Sequence, residues 1–467
     1  MAVQSVSSQN NPENKMGVMP MNRLVITMSL PMMISMLVQA LYNIVDSIFV
    51  AMIEEKALTA VSLAFPVQNV MIAVAMGTCV GMNALMSRAL GQKKPEECNR
   101  VACNTIFLMV LSYLVFLLVG IFFVPFFYRT QTSDAVIVDY GIQYLSIVCM
   151  FSFGVYTQAM FERMLQATGK TFYTMLTQGS GAVINLIMDP ILIFGIGPFP
   201  ELGVRGAAIA TVIGQIFAGI LALILNQKKN TDVNINLRGF RPSGRIIANI
   251  YQISIPSIIM QAIGGVMNFG MNQILLGFNS TAATVFGVYY KLQSFIFMPV
   301  FGMNNALVPI ISYNYGAGKR ERVVKTIKLG MLYCELIMIL GFLVMQFVPG
   351  LLLSLFSASD TMLEIGIPAL RIISYSFLLA GLSIPMGTAF QALGRAWYSM
   401  VNSVSRQVVI LLPVAWLLSL SGNIDLVWWS FPIAEVCSLA LVAFFMVKIN
   451  REIISKIPSE NFKKKVI

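Results

Sequence analysis

The sequence predicts an all-α integral membrane protein: twelve transmembrane helices in two parallel six-helix lobes, related by a pseudo-twofold axis along the membrane normal. Three observations carry this expectation. The chain is 57% hydrophobic and only 11% charged, whereas a soluble domain carries about 25% charged residues. Apolar runs of bilayer-spanning length recur along its whole extent. The chain also matches itself, without gaps, at a constant displacement of 225 residues.

The apolar runs fall at about 24–53, 58–88, 101–127, 137–165, 172–197, 204–226, 248–277, 282–312, 326–356, 362–392, 397–421 and 427–449. Each is long enough to cross about 30 Å of hydrocarbon as a helix. A strand of a membrane barrel needs only about ten residues of alternating polarity. These runs are longer and apolar all round, so helices are expected. The opening residues, MAVQSVSSQNNPENK, are polar and lead straight into the first run, so no cleavable leader is expected. Cys79, Cys98, Cys103, Cys149, Cys334 and Cys437 lie in spans or inner loops and form no CxxC. They read as small packing residues.

The charges orient the spans. With the N-terminus placed inside, all but six of the 31 Lys and Arg fall on the inner side. Lys56, Arg129 and Arg205 lie in outer loops, and Lys291, Arg371 and Arg406 fall within spans. This is the positive-inside rule. Both termini are expected in the cytoplasm, which requires an even number of spans. The net charge of +11 then faces the anionic lipids of the inner leaflet, and no nucleic-acid partner is needed.

The repeat is read from three segments. SLPMMISMLVQALYN (29–43) falls on SIPSIIMQAIGGVMN (254–268), and GTCVGMNALMSRALGQKK (77–94) on GMNNALVPIISYNYGAGK (302–319). QATGKTFYTM (166–175) falls on QALGRAWYSM (391–400). Three matches at one displacement indicate an internal repeat. Each copy holds six spans, so both enter from the same side and the axis runs along the membrane normal. The expected organisation is a tail at 1–23, a first lobe at 24–226, a linker at 227–247, a second lobe at 248–450 and a basic tail at 451–467. Two lobes in one chain suffice for a monomer. The GAGKR segment (316–320) is no phosphate loop: position 313 is Tyr313, where a Walker A motif needs Gly.

Ionisable residues inside spans are the informative ones, since a carboxylate at mid-bilayer costs about 2.5–3.5 kcal/mol on insertion scales. Asp46 lies in the first span, and Asp189 in the fifth, with Asn185 one turn earlier on the same face. Both acids sit at similar depth in one lobe. Asp189 precedes Pro190, so one reading is a helix cap at a restart. That reading leaves Asp46 unexplained. Two acids together in low dielectric are better read as a cation or proton site, because both cannot comfortably stay charged. The chain has no histidine, so any proton relay depends on carboxylates. Glu162, near the end of the fourth span, reads either as an interfacial partner of Arg163 or as a cavity acid that attracts cationic substrates. Lys291 and Arg406 have the reach to snorkel; with Arg371, Glu335 and Glu435 they receive no role. The 31 Met and 31 Phe are mostly packing residues, though flexible Met walls also suit a site that admits many shapes.

Twelve spans in parallel repeats resemble the multidrug and toxic compound extrusion (MATE) family of bacterial antiporters. So do NIVDSIFVA, NLIMDPILIFG, GVRGAAIAT and the pair QATGK/QALGR. Asn-x-x-x-Asp-Pro in the fifth span is similar to the DinF-like and MepA-like branch. The resemblance covers essentially the whole chain. It implies a first-lobe site at Asp46, Asn185 and Asp189, with Thr211 a fourth member, able to hold a proton or Na+. It implies that Gln39, Tyr42 and Glu162 line the same cavity and that the first helix bends at Pro31. It also implies no cofactor beyond the coupling ion and a bacterial cytoplasmic (inner) membrane location. The family's second-lobe sodium site needs acids in spans seven and ten. Span seven has none and span ten has none in its middle, so that site is not expected.

The function implied is efflux of amphipathic organic cations in exchange for protons or sodium, by alternating access. An alternative is a lipid-linked oligosaccharide flippase of the same superfamily, although the best-placed first-lobe charges are acids. A membrane enzyme would need a motif such as DDxxD or HExxH, and neither occurs.

Overall fold

The computed structural model describes residues 13–458 except 239 and 357. The first twelve residues and the tail beyond, with Lys463, Lys464 and Lys465, lie outside the described residues. After a short α1 (Lys15–Val18), the first lobe comprises α2 (Met21–Ala51), α3 (Glu55–Gly91), α4 (Pro95–Leu118), α5 (Val124–Gln131), α6 (Ala135–Met150), α7 (Phe153–Ala167), α8 (Thr171–Phe194) and α9 (Val204–Lys229). The second comprises α10 (Gly244–Leu276), α11 (Ser280–Gly316), α12 (Arg320–Phe347), α13 (Pro349–Ser354), α14 (Asp360–Ala392), α15 (Ala396–Val404), α16 (Leu412–Ser419), α17 (Ile424–Trp428) and α18 (Ser430–Glu452). Two π-helical stretches, Val119–Phe123 and Ser405–Leu411, join α4 to α5 and α15 to α16.

Among the described residues, eleven helical spans are long and apolar enough to cross a membrane, and the bent pair α6–α7 makes twelve. The fourth span therefore departs from a single rod: its halves meet at 45°. Ser152 and Gly154 stand at the break, and Gly and Ser together recur at sharp kinks. Pro31 lies inside α2, and the helix runs continuously through it.

The repeat holds in three dimensions. Ser87 Oγ donates to the Ala167 carbonyl at 2.8 Å, and Ser312 Oγ, 225 residues on, donates to Ala392 at 2.9 Å. Gly77 of α3 abuts Ile258 of α10, while Gly302 of α11 abuts Met33 of α2. Gly91 abuts Tyr313 and Gly316 abuts Arg88. Each relation is carried onto its mate by the same shift. A Cβ at any of these four glycines would strike the facing backbone, and small residues are what let membrane helices approach so closely.

All four approaches lie in the half of the helices nearest the described chain ends, called here the terminal face. The lobe-to-lobe hydrogen bonds among the described residues fall there too: Ser254 Oγ donates to Thr78 O at 3.2 Å and Arg163 Nη1 to Asn305 Oδ1 at 2.9 Å. The molecule is closed at that face. A strap at residues 13–19 crosses it. Asn14 Nδ2 donates to Thr168 O of the first lobe at 2.9 Å. From the second lobe, Asn314 Nδ2 donates to Met16 O at 3.0 Å and Lys319 Nζ to Gly17 O at 2.8 Å. Lys319 also pairs with Glu13 at 2.6 Å, which holds that carboxyl below its ordinary range.

The cores are exchanged at this end. Met21, Leu24, Met28 and Met32 of α2 pack into the second lobe's core, whereas Val50 at its far end packs into the first. Ile250 of α10 packs reciprocally into the first lobe. The linker is without helix at 233–237 and lies along α4, where the Asn99 and Asn104 side chains accept from the backbone N–H groups of Asn234 and Ser243.

Candidate functional site

The site follows from the polarity of α8. Its buried stripe is Thr174, Thr177, Gly181, Asn185 and Asp189, spaced by three or four residues and thus on one face. Val183 and Ile187 point outward, at 56% and 55% exposure. The helix turns polar groups inward and apolar groups toward lipid, as a bundle in hydrocarbon allows. Against this stripe lies α9, seated by Gly206 on the Leu192 carbonyl and by Gly214 on Gly181 and Asn185. That close seam brings Thr211 to Asn185, whose Nδ2 donates to the Thr211 hydroxyl at 3.3 Å.

Asp189 is fully buried, and neither carboxyl oxygen has a hydrogen-bond partner among the described residues. The same holds for Asn185 Oδ1 and Asp46 Oδ1. Asp46, on α2, meets Asp189 side chain to side chain. Tyr42, one turn before Asp46, lies against Thr211 and within electrostatic reach of both acids. Two further residues complete the wall. Tyr144 of α6 is buried near both acids, and Gln68 Nε2 of α3 donates to its hydroxyl at 3.3 Å. Neither stood out in the sequence: a Tyr and a Gln inside long spans carry no spacing signal.

The structure decides the Asp189–Pro190 question. The helix α8 runs unbroken past Pro190 to Phe194, ending at Gly195 with φ 68°, a left-handed C-terminal cap. Asp189 is interior to it and caps nothing. What remains is a buried cluster of acceptor oxygens short of donors. Leaving such a group unsatisfied costs about 1–3 kcal/mol, more when charged. Protons or a small hard cation satisfy such a set.

The other predicted residues lie elsewhere. Gln39 shares the face of Tyr42 and Asp46 but is exposed and makes no hydrogen bond among the described residues. Glu162 is 1% exposed. It accepts from Gln158 Nε2 at 3.1 Å, Thr177 Oγ1 at 2.9 Å and Gln178 Nε2 at 2.9 Å. It is not the partner of Arg163, which instead donates to Gln166 and Asn305. In the second lobe, Arg406 does not snorkel: it pairs with Glu435 at 3.0 Å, and Glu435 accepts from Ser383 at 2.7 Å. Arg371 and Gln346 bond to each other's backbone carbonyls, and Lys291 lies 6.0 Å from the Phe356 ring centre. Glu335 packs against Gly381 with Oε2 unpartnered among the described residues.

A two-lobed, twelve-span bundle with unpartnered carboxylates inside one lobe defines a membrane transporter. The family model MatE matches residues 31–191 and again 256–417; its two matches begin at Pro31 and Pro256, one repeat apart. The chain belongs to the MatE family, whose members are transporters and not enzymes. It is 28% identical over 421 residues to the multidrug export protein MepA of Staphylococcus haemolyticus (strain JCSC1435), covering 90% of this chain and 91% of that protein. It is also 28% identical over 431 residues to an FAD transporter of Shewanella oneidensis, covering 89% and 92%. The fold matches a crystal structure of MATE in complex with MaL6 with TM-score 0.88 at 24% identity, over 96% of this chain and 99% of that one. An outward-facing multidrug resistance MATE transporter of the MOP superfamily matches with TM-score 0.87 at 24% identity, over the same shares.

Proposed function

We propose that the protein exports amphipathic organic cations across the bacterial cytoplasmic membrane in exchange for protons or sodium, by alternating access, with both termini cytoplasmic. The observation that carries this reading is the unpartnered acceptor set at Asp46, Asn185 and Asp189. A cationic substrate and the coupling ion compete for the same carboxylates. Entry of a proton or Na+ neutralises the acids and weakens their hold on the substrate. Coupling needs the ion to bind the two states with different affinity. The helix α2 supplies a route, since Asp46 sits at one end and the other end is embedded in the opposite lobe's core. Likeness to MepA supports the substrate class. The FAD transporter relative, at the same identity, favours a second reading, export of an anionic dinucleotide.

The test is efflux of a fluorescent organic cation from proteoliposomes, under a proton gradient and separately under a sodium gradient. Wild type is expected to export, and Asp189→Asn to lose at least about tenfold in rate. The driving gradient identifies the ion. Equal export by both proteins removes Asp189 from the mechanism. Transport of FAD in place of the cation selects the second reading.

A further inference from the structure

At the terminal face, the two repeats treat equivalent grooves differently. In the first repeat the groove beside Thr168, Gly169 and Lys170 is filled by the strap: Asn14 bonds Thr168, and a Cβ on Gly169 would meet Lys15 and Met16. Lys170 is balanced there by Asp232, at 3.0 Å. A shift of 225 residues carries Thr168, Gly169, Lys170 and Asp232 onto Leu393, Gly394, Arg395 and Ile457. All four of these line a cavity of about 690 Å³. The cation is kept, its carboxylate partner has become an isoleucine, and no described segment fills the groove. Nothing lies within 4 Å of a Cβ built on Gly394.

Two more cations face the cavity. Arg88 comes from α3 of the first lobe, its guanidinium 4.6 Å from the Tyr315 ring centre, and Lys456 follows α18. Glu452 is the one acid in the lining. Among the described residues, the side chains of Arg88, Arg395 and Lys456 make no hydrogen bond or ion pair. By composition, residues 1–12 contain no acid, and residues 459–467 carry Lys463, Lys464 and Lys465 against a single Glu460.

We propose that this cavity binds a phosphate group, carried either by an anionic phospholipid of the adjacent leaflet or by a soluble phosphate compound. Two guanidinium forks and an ammonium converging on one space match phosphate oxygens, and a basic pocket at this level of the membrane meets lipid headgroups directly. Because Arg88 belongs to one lobe and Arg395 and Lys456 to the other, the bound phosphate ties the lobes together at the closed face.

The experiment uses the full chain, purified in uncharged detergent and titrated separately with inorganic phosphate, phosphatidylglycerol and phosphatidylcholine. Binding is read by native mass spectrometry and by the shift in thermal unfolding. Wild type is expected to take one phosphatidylglycerol or one phosphate. Binding should weaken roughly tenfold in R395Q/K456Q and again in R88Q, which comes from the opposite lobe. K228Q/K229Q, which removes exposed cations outside the cavity, should bind as wild type. Saturation by inorganic phosphate assigns a soluble ligand, and saturation by phosphatidylglycerol alone assigns a lipid. The proposal is overturned if neither probe binds. It also fails if R395Q/K456Q binds as wild type, if K228Q/K229Q loses as much as R395Q/K456Q, or if phosphatidylcholine binds as tightly as phosphatidylglycerol.

Discussion

Asp189 and Glu162 are both buried carboxylates of the first lobe, and their surroundings separate them. Three neutral donors surround Glu162, whereas among the described residues no neutral donor reaches Asp189. The first is satisfied by the protein and the second is left for something else. Thr211 provides a graded probe of this site. Thr211→Val leaves Asn185 Nδ2 without its one acceptor, an expected stability loss of about 1–3 kcal/mol, together with weaker coupling. Thermal unfolding and the efflux assay read the two effects separately. The Arg406–Glu435 pair gives a different expectation. Glu435→Gln strands a cation within the second lobe, at a cost toward the low end of about 3–5 kcal/mol, because the Arg406 side chain is 25% exposed. Replacing both together, by Met and Leu, should be nearly neutral or stabilising. Chemical unfolding of the three variants decides this: if the double variant loses as much as the single, the ion pair contributes more than burial of its two charges costs.

Helices α2 and α10 each belong to both cores. Each begins among side chains of the opposite lobe. A change of charge at Asp46 therefore acts on a rod whose far end is held by the second lobe. The glycine contacts define where that rod and its neighbours meet. Gly316→Val would drive a branched side chain into the backbone of Arg88, and overpacking of this kind costs about 1–3 kcal/mol. The expected result is a lobe interface that cannot close at the terminal face. Distances between spin labels at the ends of α3 and α11 should lengthen, and an unchanged distribution would show that the close approach is dispensable.

At the scale of the molecule, closure rests on the glycine contacts, on a few inter-lobe hydrogen bonds and on the strap. Removing residues 1–19 deletes the bonds from Asn314, Lys319 and Arg322, and is expected to shift the population toward opening at this face. The strap also carries a pH dependence. Glu13 is held below its ordinary value of 4.5, chiefly by the hydrogen bond from Lys319. A carboxyl lowered in the folded state contributes above its ordinary value and loses that contribution as pH falls through the folded one. Wild type and Glu13→Gln should therefore differ in the same spin-label distances at neutral pH and converge in acid, once pH has fallen through the lowered titration of Glu13. A difference that persists in acid would assign the effect to packing.

Residue types and their order along the chain determined the solvent, the number of spans, the repeat and the two acids. Apolar run length answers to bilayer thickness, and a gapless repeat needs no coordinates to be seen. Asp46 and Asp189 stood out because a carboxylate in hydrocarbon is costly wherever it packs. Tyr144 and Gln68 did not, because neutral residues acquire meaning only from what faces them. The bend at Ser152 and the state of Asp189 were also beyond one-dimensional reading, since Asp-Pro is compatible with both a cap and a helix interior. Only the tertiary structure decided that α2 exchanges lobes, that the strap fills one groove while its twin is left open among the described residues, and that Arg406 pairs inside its span. Each of these depends on contacts between segments far apart in the chain, and no local pattern encodes which of two equivalent surfaces a segment will cover.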